Sequence, residues 1–183
     1  MREISMHIMD IVQNSISANA DVIEININED FELDLLQISI IDNGRGMAPE
    51  LLKTVSDPFS TTRTTRKVGL GISLFKAAAE RCDGELKISS TLGKGTVVDV
   101  RFVHSHIDRA PLGNMSETIL SLVVCNPSID FIYRHTVNNN DFEFDTRKIK
   151  QIIGHVDINN IEVVSWMREY LNEGITNLYG GAN

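Results

Sequence analysis

The chain has 183 residues, 42% of them apolar, and a formal charge of −8 at pH 7, which suits one sizeable core with a smaller unit packed on it. That charge repels phosphate backbones, and the basic residues are scattered apart from Arg63, Arg66 and Lys67, so nucleic acid is not expected as a partner, whereas one small polyanion is. No run approaches the roughly 20 apolar residues of a membrane span, and the start has no signal-peptide core, so a cytoplasmic chain without membrane contact is expected.

In chain order, Ile4, Ile8, Ile11, Val12 and Ile16 recur at helical spacing and predict an amphipathic helix over 3–18, with Asn19 as its stop. Alternation from Val22 to Ile27 and the apolar run from Leu35 to Ile41 predict two strands around an acidic, exposed turn. A short helix follows from Pro49 to Val55, then a Ser/Thr/Arg-rich loop over 56–67 without periodicity, then a helix from Leu70 to Arg81. Asp83-Gly84 turns into strands at Glu85 to Ser89 and Thr96 to Val103, joined by Gly93-Lys94-Gly95. These elements amount to an α+β, two-layer sandwich over residues 1–104. Pro111 and Gly113 mark a connection, and 115–179 reads as a small α+β appendage. It comprises a helix at Ser116 to Cys125, strands near Asp130 to Thr136 and Asp141 to Phe144, and two short helices after Thr146 and Ile161. Cys82 and Cys125 have neither CxxC nor Cys/His spacing, and both are expected as buried thiols. Histidines 104, 106, 135 and 155 form no local ligand spacing.

Four constellations carry chemistry. Asp10 and Asn14, four apart on the first helix, share a face. An asparagine oxygen suits a hard cation such as Mg²⁺, and a nearby carboxylate can orient or deprotonate water, although taken alone the pair reads more simply as a solvated polar face. Asp42-Asn43-Gly44-Arg45-Gly46-Met47 follows a buried strand. Asp42 can accept from an exocyclic amine, Gly44 and Gly46 clear space for a flat ring, and Met47 can pack on it; a simple turn is the alternative. Gly69-Leu70-Gly71 opens a helix behind Phe59, Thr61, Thr62, Arg63 and Lys67, so backbone N–H groups, the helix dipole and cations can meet a polyphosphate. It has neither the Walker A ending nor a preceding strand, and a glycine-rich connector remains the alternative. Finally, Thr96 after Gly93-Lys94-Gly95 can reach a ring nitrogen directly or through water.

The order of these four resembles the ATP-binding motifs of the GHKL superfamily (gyrase, heat-shock chaperone, histidine kinase and mismatch-repair ATPases) over Met1 to Val103. The resemblance implies a Bergerat fold, with a mixed, mainly antiparallel sheet and helices on one face, and it implies ATP and Mg²⁺ as cofactors. His7 to Ala18 resembles the N box, with Asn14 as Mg²⁺ ligand and Asp10 where many members place a glutamate base. Asp42, Gly44, Gly46 and Met47 match the first glycine box, implying Asp42 to the adenine amine. Asp57 to Thr62 resembles the F box, Gly69 to Gly71 the second glycine box and Gly93 to Thr96 the third. Asp10 is a carbon shorter than glutamate, which implies slow turnover, and Lys67 stands where sensor kinases usually carry another glycine. The start directly on the N box argues against a complete sensor kinase. Residues 118–133 faintly resemble the start of a mismatch-repair transducer domain.

The expected function is Mg²⁺-dependent ATP binding with slow hydrolysis, in which closure of a short lid regulates a protein partner. Protein kinase activity in trans and a non-catalytic nucleotide sensor stay open as alternatives, as does a homodimer.

Overall fold

The computed structural model describes residues 3–55 and 70–180. Helix α1 (Ile4–Ser17) turns Ile4, Ile8, Ile11, Val12 and Ser15 inward, and burying such a stripe of isoleucines stabilises the helix by roughly 1.5–3 kcal/mol per side chain. Its first free N–H groups are satisfied from outside: Ile4 N donates to Pro111 O (2.9 Å) and Ser5 N to Leu112 O (2.8 Å), so the connecting segment caps the helix start. Asn19, with φ 59°, ends it in the left-handed region that asparagine tolerates.

Strands β1 (Val22–Asp30) and β2 (Leu35–Asp42) alternate residue by residue between buried and half-buried positions, the pattern of a sheet covered on one side. They pair antiparallel, and β2 pairs antiparallel in turn with β4 (Gly95–Val103), whose other neighbour is β3 (Glu85–Thr91). On the far side of β1 lies β5 (Asp130–Val137), parallel to it, then β6 (Asn140–Asp145), antiparallel to β5. The single six-stranded sheet runs β3-β4-β2-β1-β5-β6. Helices α3 (Leu70–Glu80), α4 (Met115–Cys125) and α6 (Ile161–Leu178) join α1 on the apolar face, while α2 (Pro49–Val55) follows β2 and α5 (Thr146–Ile153) follows β6. The opposite face is polar: Arg134 on β5 bridges Glu24 and Glu143 of its two neighbours, each at 2.9 Å. The result is the expected two-layer α+β sandwich with a mixed, mainly antiparallel sheet.

Three details differ from expectation. The segment over 115–179 contributes β5 and β6 to the common sheet, because the parallel crossover through α4 brings β5 beside β1, a long-range pairing that leaves no local signal. Helix α6 is 18 residues long, not short; Met167, Leu171 and Leu178 keep it anchored beyond the first turns. Cys125 is exposed at the end of α4, where the helix face has rotated outward, while Cys82 is buried as expected. Among the described residues no helix is long and apolar enough to cross a membrane.

At the end of the sheet where β1 and β5 finish, Glu29 is buried and receives three side chains: His135 Nε2 (2.9 Å), His104 Nε2 (2.8 Å) and the Tyr179 hydroxyl. The cluster joins two strands, the segment after β4 and the end of α6. Burial pushes the Glu29 carboxyl up, but hydrogen bonds from His135, Tyr179 and His104 outweigh it and hold the group down at about 2. A depressed carboxyl stabilises the fold above its unfolded value of 4.5, and that contribution disappears as pH falls towards about 2. Urea unfolding across this range is expected to show steep acid destabilisation in the parent chain. Glu29→Gln should be less stable at neutral pH and show a shallower acid loss.

Candidate functional site

A cleft of about 600 Å³, counting its open mouth, lies at the other end of the sheet, where β2 finishes and β4 begins. Asp42, the last residue of β2, is the partner of Thr96 across the β2–β4 ladder, so both side chains emerge on the helix-covered face. The walls come from Ile11, Asn14, Ser15, Ser17 and Ala18 of α1 and its end, Arg45, Gly46 and Met47 after β2, Leu51 of α2, Ile72 of α3, and Val98 of β4. A mostly apolar hollow with a few convergent polar groups is the usual form of a small-molecule site.

Asp42 is its most constrained polar group. The residue is 9% exposed; Oδ2 accepts from Ser15 Oγ at 2.6 Å and Oδ1 from Gly44 N at 2.9 Å. A carboxylate has about four acceptor sites, so capacity remains for a donor in the cleft. Asn43 Oδ1 accepts from Asp21 N and Val22 N (2.9 and 3.0 Å), which fastens the following turn to the start of β1.

The glycines answer to the backbone more than to a ring. A Cβ on Gly46 (φ +63°) would fall 2.0 Å from the Thr91 carbonyl oxygen, and one on Gly95 (φ +112°) 1.9 Å from the Asp42 carbonyl oxygen. The turn after β2 and the β3–β4 hairpin are therefore pressed together backbone to backbone. Gly93 N donates to Arg45 O (2.7 Å) and Met47 N to Ser90 Oγ (2.8 Å) across the same contact. Gly44 is outside the cleft lining, and a Cβ there would come 2.9 Å from Ala18 O.

Asn14, Asp42, Gly46, Met47 and Thr96 thus line one cleft. Asp10, one turn before Asn14, is exposed and outside the lining. It touches α3 at Gly71, where an added Cβ would stand 3.1 Å from Asp10 Cβ, and Leu70 beside it is exposed. Phe59, Thr61, Thr62, Arg63, Lys67 and Gly69 lie outside the described residues. Ser15 and Ser90 were not singled out from the sequence, although each left a trace. Ser15 continues the apolar stripe Ile4, Ile8, Ile11, and Ser90 continues the inward series Leu86, Ile88. A polar residue in a buried register is a candidate for a site. His7, also buried on α1, stacks on Phe75 at 4.8 Å, and its Nδ1 has no hydrogen-bond partner among the described residues; burial pulls its pKa down. Among the described residues no cluster of His, Cys, Asp and Glu could hold a metal ion.

Residues 2–106 match the family model described as "Histidine kinase-, DNA gyrase B-, and HSP90-like ATPase". The chain belongs to this family. As a GHKL ATP-binding domain of the histidine kinase type, it is 34% identical over 85 residues to a "Putative sensor histidine kinase NtrY-like" of Rickettsia bellii, covering 46% of this chain and 13% of the relative. It is 43% identical over 63 residues to "Sporulation kinase C" of Bacillus subtilis, covering 34% of this chain and 14% of that one. The GHKL chain therefore spans only a small part of the curated relatives it matches. Among solved structures, the "N terminal domain of a DNA repair protein" aligns over 100% of this chain and 58% of its own, with TM-score 0.55 and 17% identity. The "Aquifex aeolicus MutL ATPase domain complexed with ADP" aligns over 84% of this chain and 69% of its own, with TM-score 0.50 and 15% identity. At such identities the likeness is one of fold.

The backbone contact under this GHKL cleft gives a stability test. Gly95→Ala forces a side chain onto the Asp42 carbonyl, whereas Gly93, also at positive φ (+76°), has nothing within 4 Å of its added Cβ. Thermal or urea unfolding is expected to show a loss of about 1 kcal/mol for Gly93→Ala and of roughly 3 kcal/mol or more for Gly95→Ala.

Proposed function

We propose that the chain binds ATP with Mg²⁺ in this cleft, hydrolyses it slowly and uses the nucleotide state to regulate a protein partner. The observation that carries the reading is the convergence of the Asn14 amide and the Asp42 carboxylate on one hollow. Asp42 has acceptor sites left after Ser15 and Gly44, which fits an exocyclic amine, and Ile11, Met47, Ile72 and Val98 offer the apolar surface a purine ring needs.

The donor set fits the metal as well. Asn14 stands half-buried on the cleft wall, a single neutral oxygen of the kind Mg²⁺ takes when waters and phosphates complete its shell. When bound, the ion would neutralise phosphate charge; Asn14 would hold it. Asp10, open to solvent one turn away, is free to orient a water, and Leu70-Gly71 brings the start of α3 against it. A domain of the same fold has been solved with ADP, which supports a nucleotide as occupant.

Isothermal titration with ATP and GTP tests the reading. Asn14→Ala is expected to abolish the Mg²⁺-dependent part of ATP binding. Asp42→Asn should weaken ATP by about 1–3 kcal/mol, because a buried donor loses its anionic acceptor; unchanged affinity would refute the adenine placement. Phosphotransfer to another protein is the second reading, favoured by relatives that bear kinase names. Labelled phosphate from ATP is expected in solution, diminished by Asp10→Asn; label retained on a co-purified protein would favour the kinase.

A further inference from the structure

Ser90 sits on β3 as the cross-strand partner of Thr96 and makes three polar contacts. It receives the Met47 N–H at 2.8 Å, donates to the Gly95 carbonyl at 2.9 Å, and meets Thr96 Oγ1 at 2.9 Å. A serine hydroxyl has one proton and two lone pairs. Gly95 O cannot donate and Met47 N cannot accept, so the arrangement that satisfies all three contacts has the Ser90 proton on Gly95 O and the Thr96 proton on Ser90 Oγ. Reversing the last bond would strip Gly95 O of this donor and leave one contact unmade.

We propose that Ser90 is a positioning residue: by taking the Thr96 proton it makes the wall formed by Thr96 and Asp42 accept hydrogen bonds only, so the cleft selects ligands that present an amino group there. The inference rests on the nucleotide reading above and adds to it the residue that sets the polarity of the base edge. Thr96 and Asp42 are cross-strand partners, with Cα atoms about 4.5–5.5 Å apart, so a ligand edge that meets one lies beside the other. Ser15 and Gly44 donate to Asp42, and Ser90, beside Thr96 in the β3–β4 ladder, accepts from it, so neither Thr96 nor Asp42 brings a proton to a ligand. A 6-amino purine supplies two N–H groups to such a wall. A 6-oxo purine turns a carbonyl onto it, so its one edge donor, N1–H, can serve one acceptor while the carbonyl lone pairs face the other, an arrangement a buried polar site disfavours.

The test is a titration of ATP and inosine triphosphate against the parent chain, Ser90→Ala and Ser90→Thr. The parent is expected to prefer ATP. In Ser90→Ala the Thr96 hydroxyl regains its proton for the cleft, so ATP should weaken and inosine triphosphate hold or gain, narrowing the preference about tenfold. Ser90→Thr, which keeps the hydroxyl, should restore the parent ratio, and adding Thr96→Val to Ser90→Ala should cancel the gain for the 6-oxo ligand. A merely structural serine would weaken both ligands alike and leave the ratio unmoved, which would overturn the proposal. If Ser90→Ala does not fold, Ser90→Cys, similar in size but a weak partner for Thr96, reads the same ratio. A parent chain that binds neither triphosphate would overturn the nucleotide reading itself. One that binds ATP but shows a constant ratio across the folded variants would overturn only the role of Ser90.

Discussion

The hydrogen bond from Ser15 to Asp42 fixes the relation between the first helix and the sheet on which the cleft depends. A carboxylate removed from water without partners is strongly unfavourable, and Asp42 is tolerated at the end of a buried strand because a helix hydroxyl and a turn N–H both point at it. The bond also sets the rotation of α1. With Ser15 turned to the sheet and Ile11 beside it on the cleft wall, Asn14 is brought to the rim of the same hollow. Sliding or rotating the helix would strand the carboxylate and remove the amide from the site together.

Beneath that bond lies a contact made mostly of backbone. The turn after β2 and the β3–β4 hairpin approach so closely that neither Gly46 nor Gly95 has room for a methyl group. Main-chain atoms pressed together have no rotamers to exchange, so this side of the cleft is preformed. Asn43 and Ser90 extend the same logic by spending side-chain capacity on neighbouring backbone, while Asp42, Thr96 and Asn14 stand with Ser15, Ser17 and Arg45 as the polar residues of the cleft wall.

Much of this was legible from residue order. Alternation from Val22 to Ile27 fixed which side of β1 is buried, the stripe on α1 fixed its inner face, and Pro49 marked the start of α2 as found. Asn14, Asp42, Gly46, Met47 and Thr96, singled out where motif and element coincide, line one cleft. What escaped depends on contacts between segments distant in sequence. The parallel pairing of β1 with β5 spans more than half the chain. Ser15 and Ser90 became visible only once their partners, Asp42 and Thr96, stood opposite. Gly46 was expected to clear space for a flat ring, yet, like Gly95, it chiefly clears space for another stretch of backbone. Cys125 and the length of α6 were missed because apolar counts say little about which face of a helix a neighbour covers.

The seating of β5 against β1 has a practical side. The family match closes at residue 106, and a fragment cut there would keep every described cleft residue. It would also bare the whole rim of an isoleucine-rich strand, together with the apolar surface now under α4. An unprotected rim of that kind is a template for unrelated chains to add to. In the whole chain the later residues cover both that rim and that surface.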